Sequence, residues 1–266
     1  MFSLCLATRP PATPWEVWQG WSFAPVIVVP LILMLGLYLR AYGRSSHRDR
    51  GARIGPACFL GGWALLAVAL VSPLCRMAAT LAWAHMVQHV ILVALAPPLL
   101  VLGVLYARPP GRRRTAGEAV AASALYAAAI WISHTPAVYQ AALDDATVHV
   151  AVACGLVGAG TFFWRVALAP VADPGAAAGG TAFMALFSAL LQTGVLGALL
   201  TFSPNPWYPV FEGRVEAWGL TPLEDQQLAG LIMWVPMGGI YLFAGLAAAM
   251  RFVVRDPRPK PPLQWQ

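Results

Sequence analysis

The sequence predicts an all-α, polytopic membrane protein, a bundle of seven transmembrane helices with the N-terminus outside and the C-terminus inside. Composition, apolar stretches and charge distribution lead to this prediction. Apolar residues make up 59% of the chain and charged residues 11%, against about 45–50% and 25% in soluble domains. The mean hydropathy of +0.66 agrees. The net charge of +6 therefore has to be interpreted loop by loop, and we expect no nucleic-acid partner.

Seven apolar stretches are each long enough to cross about 30 Å of hydrocarbon. None alternates with a period of two, so we expect helices rather than a β-barrel. The predicted spans are Trp21–Tyr42, Gly55–Leu74, Leu81–Tyr106, Glu118–Ser133, Val148–Leu168, Thr181–Phe202 and Leu228–Val253. The predicted organisation is an outer N-terminal segment (1–20), one transmembrane domain (21–255) and a Pro-rich cytoplasmic tail (256–266).

The basic residues predict the orientation. Fourteen of the 17 Lys and Arg residues fall on the side of the bundle that carries the C-terminus, and three (Arg9, Arg76 and Arg214) fall on the other side. Basic loops stay in the cytoplasm, so the C-terminus is predicted inside, in a bacterial plasma membrane. Seven of the 11 acidic residues fall on the outer side, and this surface would attract cations or a basic soluble partner.

Four of the five histidines fall near the predicted outer surface, on three helices. His85 and His89 open the third span, His134 closes the fourth and His149 opens the fifth. His85 and His89 are four residues apart, about 40° around a helix, so both imidazoles can reach one ion. His47 falls in an inner basic loop and is interpreted as a solvated residue.

Ionisable groups inside membrane spans are costly and usually functional. We therefore interpret His85, His89, His134 and His149, with Asp225 at the start of the seventh span, as candidate metal ligands. Each one alone is also compatible with an interfacial residue or a helix cap. Secondary candidates are Met86, Met233 and Cys154, for which core packing is the alternative. Imidazoles with sulfur nearby favour copper, and zinc remains an alternative.

The cysteines Cys5, Cys58, Cys75 and Cys154 form no CxxC pair and no metal-ligand spacing. We therefore expect no disulfide framework.

Several of these motifs together resemble the CtaG family of caa3-type cytochrome c oxidase assembly factors. The similarity runs from about the second span to the seventh. The matching stretches are His85-Met-Val-Gln-His89, Ala96-Pro-Pro-Leu-Leu-Val-Leu-Gly103, His134-Thr-Pro136 with Tyr139, Phe163-Trp164, and Asp225-Gln226 with Gly230 and Met233-Trp234. The resemblance implies a non-enzymatic membrane protein that handles copper for a haem–copper oxidase. It implies partnership with oxidase subunits or a copper chaperone, and His85, His89, His134, His149 and Asp225 as ligands.

One position departs from the family pattern. Many members carry a second histidine one turn after the position of His149, where this sequence has Ala153. This departure leaves three alternatives: the metal site has one ligand fewer, Cys154 substitutes for the missing histidine, or the site in the fifth span is degenerate.

Two other functions remain open at this stage. A seven-helix zinc hydrolase would need His, Asp and Ser residues around a catalytic metal, but no serine here lies in a recognisable motif. A haem-binding electron carrier would need axial histidines on facing helices, which the His85/His89 pair fits poorly.

Overall fold

The computed structural model describes residues 4–42, 51–107, 115–172 and 176–254, and this part of the chain is helices joined by turns. Seven helical segments are long and apolar enough to cross a membrane, which confirms the predicted all-helical seven-span fold. The spans are Pro25–Tyr42, Ile54–Val71, Ala82–Tyr106, Ala116–Ser133, Ala146–Ala167, Ala178–Phe202 and Pro222–Met250. The 256–266 tail and His47 lie outside the described residues.

The described residues form twelve α-helices, nine of which make up the spans, and two spans contain a π-helical turn. The helices are α1 (Pro25–Tyr42), α2 (Gly51–Val71), α3 (Pro73–Ala78), α4 (Ala82–Val90), α5 (Ala96–Ala107), α6 (Ala116–Ser133), α7 (Pro136–Asp144), α8 (Ala146–Ala167), α9 (Ala169–Ala172), α10 (Ala176–Phe202), α11 (Pro222–Ile232) and α12 (Gly238–Val254). The third span joins α4 to α5 through the π turn Ile91–Leu95, and the seventh joins α11 to α12 through Met233–Met237. Pro236 lies within the second π turn, where a proline disturbs the regular hydrogen-bond ladder.

Two short helices extend the bundle at one end. The second predicted span ran to Leu74, but α2 ends at Val71 and Ser72 starts a new helix by accepting a hydrogen bond from the Leu74 amide at 3.2 Å. Pro73 then occupies the first helical position of α3, where its missing N–H costs nothing. The second short helix, α7, also has a proline, Pro136, at its first position, and it follows shortly after the end of the fourth span.

The third span is the centre of the bundle and the first span is peripheral. In the most apolar 18 residues of the third span 61% are buried, against 17% in the first span. The π turn of the third span is tied to the fifth by Trp164, whose indole Nε1 donates to the Val93 carbonyl at 2.9 Å. The sixth and seventh spans approach closely at Gly197 and Gly230. A Cβ on Gly230 would lie only 2.7 Å from the Gly197 carbonyl oxygen, so this contact requires glycine.

The N-terminal segment folds over the end of the bundle where the third and fifth spans begin, which we call the histidine end. The Ala7 amide donates to the Leu143 carbonyl at 2.8 Å, and the Ala12 amide to Thr80 Oγ1 at 2.9 Å. Arg214 donates to the carbonyls of Ala7 and Arg9. These contacts attach residues 7–12 to α7, to the turn before α4 and to the loop before the seventh span.

A disulfide between Cys5 and Cys75 also holds this segment, and the expectation of no disulfide framework was wrong for this pair. The two residues are separated by 70 positions but their Cα atoms lie 5.7 Å apart. Sequence spacing could not show this pairing because only the folded chain brings Cys5 onto α3. Cys58 and Cys154 are free.

Candidate metal centre

His85 and His89 form a buried pair of imidazoles on one face of α4. Their ring centroids lie 4.4 Å apart, and the side chains are 6% and 4% exposed. The predicted one-face arrangement is confirmed, because residues four apart on a helix are neighbours. Both side chains point into the bundle rather than towards lipid.

His134 reaches this pair from the end of the fourth span. It follows the last residue of α6, and its ring centroid lies 5.2 Å from that of His89. Its position is fixed on both sides: its Nδ1 contacts the Ile130 carbonyl at 2.7 Å, and its own carbonyl accepts a hydrogen bond from the Tyr208 hydroxyl at 3.0 Å. His134 is therefore an immobilised neighbour of the pair.

His149 shares a small cavity with His85 and His89. The cavity has a volume of about 20 Å³, and Gln88 and Ala153 also line it. A volume of this size holds about one water molecule. Three of the four candidate histidines thus border one space, and the fourth, His134, contacts the pair through His89.

Backbone carbonyls fix the tautomers of three of these histidines. His85 Nδ1 lies 3.3 Å from the Ala78 carbonyl oxygen, His149 Nδ1 lies 3.1 Å from that of Ala142, and His134 Nδ1 contacts Ile130. A carbonyl can only accept, so each Nδ1 carries the proton and each Nε2 keeps a free lone pair. Metal-binding histidines are commonly oriented in this way. Burial also lowers the pKa of His134 to about 4, which keeps its imidazole neutral.

Three buried polar atoms of this cluster have no hydrogen-bond partner among the described residues: His89 Nδ1, His134 Nε2 and the Tyr139 hydroxyl. Buried polar groups are almost always paired. Leaving one unpaired costs about 1–3 kcal/mol. Three such atoms within one cluster leave hydrogen-bonding and metal-binding capacity unused among the described residues.

Tyr139 also belongs to this cluster, although it was not among the predicted metal ligands. Its ring lies 4.6 Å from that of His85 and stacks on Tyr208 at 4.0 Å. Burial raises the pKa of Tyr139 well above its usual value, so the phenol is protonated and acts as a donor. The only sequence signal for it was its place in the family resemblance, because tyrosine is not among the usual copper or zinc ligands.

Asp225 has a structural role that the sequence did not show. Its carboxylate oxygens accept hydrogen bonds from the amides of Ala82 at 2.6 Å and Trp83 at 3.1 Å. These are the first residues of α4. Leu81, the N-cap residue before them, offers no side-chain hydrogen bond. Asp225 therefore caps the helix that carries the histidine pair, and its assignment as a metal ligand stays a prediction.

The three secondary candidates differ in position. Met86 and Met233 are buried, at 1% and 0% exposure, among core residues. Cys154 is exposed, and the cavity is lined by its neighbour Ala153. The structure therefore does not bring Cys154 to the histidines, and Ala153 occupies the place from which a second residue of α8 would reach them.

The cluster is a set of neighbouring imidazoles rather than a preformed chelate. Within the described residues, no three His, Cys, Asp or Glu side chains are arranged to hold one ion. The cluster fits a metal through its chemistry: neutral imidazoles with available lone pairs, buried between helices.

No curated protein and no solved structure matches the chain. A family model described as the cytochrome c oxidase caa3 assembly factor matches residues 36–255. The match spans most of the chain and includes every candidate ligand. The chain therefore belongs to the caa3 cytochrome c oxidase assembly factor family.

Proposed function

We propose that this membrane protein supports oxidase assembly by holding a copper ion, its cargo, at the histidine end. The observation that carries the proposal is the set of unpaired buried atoms on His89, His134 and Tyr139. The family is that of an oxidase assembly factor, and neutral buried imidazoles suit the copper that a haem–copper oxidase contains. The role is non-enzymatic, because binding and release of an ion require no covalent step.

Each histidine has a distinct part in the proposed binding. His85 and His89 supply nitrogens from one helix face, and His134 supplies Nε2 from the next span. His149 borders the same cavity as His85 and His89, and it becomes a further ligand when the copper ion occupies that cavity. Two or three imidazoles in a low-polarity site suit Cu(I), and the Tyr139 hydroxyl can donate to an anion or water that accompanies the ion.

We infer that the histidine end faces the outside of a bacterial plasma membrane. Fourteen of 17 basic residues fall on the opposite side, as the positive-inside rule requires for a cytoplasmic face. The Cys5–Cys75 disulfide lies at the histidine end, and disulfides persist in oxidising compartments. Copper would then be exchanged with an oxidase subunit or a copper chaperone outside the membrane.

The first test is metal content. Purified protein should contain copper in elemental analysis, and His85→Ala and His89→Ala should each lower copper binding at least tenfold, because each removes one ligand of a shared ion. His47→Ala is the control, since this histidine belongs to a predicted inner loop. Zinc in place of copper, or unchanged copper in both variants, would contradict the proposal.

The second test is oxidase assembly. Membranes with His85→Ala or His89→Ala should contain normal amounts of this protein but less active oxidase and less oxidase-bound copper. Added copper should restore part of the activity, because mass action compensates for lower affinity. Normal oxidase assembly with both histidines removed would separate the cluster from the family's function.

A further inference from the structure

A groove on the surface of the histidine end combines apolar walls with an arginine. It has a volume of about 580 Å³ and lies between the N-terminal segment, the start of the first span and the start of the fifth. Its lining residues are Leu4, Leu6, Thr8, Arg9, Ala24, Pro25, Val26 and Ala146. We call it the Arg9 groove.

The Arg9 groove lies where the membrane boundary meets the bundle. Pro25 and Ala146 are the first residues of two spans, so the groove is at the level where hydrocarbon gives way to headgroups. Trp21 and Phe23 lie beside it, are 46% and 40% exposed and stack on each other. Exposed aromatic rings of this kind concentrate at the membrane–water interface.

Arg9 is the charged residue among those that line the groove, and Arg76 and Arg214 lie near it. Arg76 donates to the carbonyl of Pro10, next to Arg9, while its Nη1 is buried and has no hydrogen-bond partner among the described residues. Burial, Arg9 and Arg214 all lower the pKa of Arg76, so the three arginines repel one another. Asp144 offsets part of this charge through its attraction to Arg214.

The groove is preformed. Leu4 and Leu6 flank Cys5, whose disulfide to Cys75 fixes this stretch against α3. The Ala7 and Arg9 carbonyls are held by the Arg214 guanidinium at 2.8 and 3.1 Å. A ligand would therefore meet walls that are already in place, and less ordering is required on binding.

We propose that the Arg9 groove binds a phospholipid. The phosphate of the headgroup pairs with Arg9 and accepts a hydrogen bond from the exposed Thr8 hydroxyl, while an acyl chain lies along Leu4, Leu6 and Val26. The apolar walls favour a lipid over a free anion, because inorganic phosphate would leave them in contact with water. This lipid site is separate from the copper proposal and does not depend on it.

The test is retention of lipid by the full-length protein in detergent. Protein mixed with phosphatidylglycerol should show a bound phospholipid in native mass spectrometry. Arg9→Ala should weaken this binding about fivefold, the effect of one arginine near a lipid headgroup, and Arg9→Lys should retain most of it. Ala146→Phe should also weaken binding by filling the exposed side of the groove. Arg165→Ala, an exposed arginine at the other end of the fifth span, is the control.

Competition between phospholipid and inorganic phosphate for the groove shows whether the bound phosphate belongs to a lipid headgroup or to a free anion. A bound phospholipid should resist displacement by millimolar phosphate. Equal lipid retention in the wild-type, Arg9→Ala and Ala146→Phe proteins would overturn the proposal. So would Arg9-dependent binding of inorganic phosphate, or of an acidic peptide, with no bound phospholipid. Thermal unfolding of each variant without lipid checks that its fold is intact.

Discussion

The starts of α4 and α8 are built alike, although they share no sequence motif. In each helix the fourth residue is a histidine, His85 or His149, whose Nδ1 donates to an alanine carbonyl seven residues earlier. In each, one aspartate accepts hydrogen bonds from two amides of the first turn. The two helix starts therefore share two features. The preceding backbone orients the histidine, and a carboxylate caps the first turn.

The two starts differ in where the aspartate comes from. Asp145 precedes α8 directly and is exposed, whereas Asp225 comes from the seventh span and is completely buried. The cap of α8 is therefore a local feature. The cap of α4 connects the third span to the seventh, so the position of the His85–His89 pair depends on the packing of the whole bundle.

The largest effect should come from Asp225→Ala. The variant leaves the buried Ala82 amide and the part-buried Trp83 amide at the start of α4 without an acceptor, which should cost about 2–4 kcal/mol of unfolding free energy. Thermal unfolding of the metal-free protein in detergent measures this loss. Asp225→Asn should be intermediate because its side chain keeps one acceptor oxygen. A normal unfolding temperature for Asp225→Ala, combined with lost copper binding, would instead support a ligand role.

The second comparison concerns the position four residues after each histidine, which is His89 in α4 and Ala153 in α8. Ala153 lines the cavity, so Ala153→His should add an imidazole beside His149. We expect copper binding to tighten about tenfold, about 1.4 kcal/mol, as measured by competition with a copper chelator. Cys154→His places the same group on the exposed side of the helix and should leave the affinity unchanged. If Ala153→His and Cys154→His changed the copper affinity equally, a histidine's position in the cavity wall would not determine copper binding.

The smallest effect should come from Asp145→Ala. An exposed local N-cap contributes about 1 kcal/mol to stability, and water can satisfy the freed amides of Thr147 and Val148. The unfolding temperature should therefore fall less than in Asp225→Ala, and copper content should stay near the wild-type value because α4 is untouched. A loss as large as that of Asp225→Ala would remove the distinction between the two helix starts.

The seven spans were predictable because each is defined by the hydropathy and length of one continuous stretch of sequence. The His85–His89 pairing followed from helix geometry alone. The Asp145 cap is likewise a local contact, because this residue directly precedes α8. The Asp225 cap, the Cys5–Cys75 disulfide and the contact of Tyr139 with His85 were not predictable, since each joins residues that only tertiary packing brings together.

The long-range cap of α4 has a consequence for biosynthesis. Asp225 is made 143 residues after Ala82, a delay of roughly 7–30 s at typical rates of chain elongation. Throughout that interval the third span has no carboxylate at its start, and the imidazole pair lacks its final support. The seventh span therefore completes the geometry of the third, and the imidazole pair reaches its final arrangement only when synthesis of the seven spans is nearly finished.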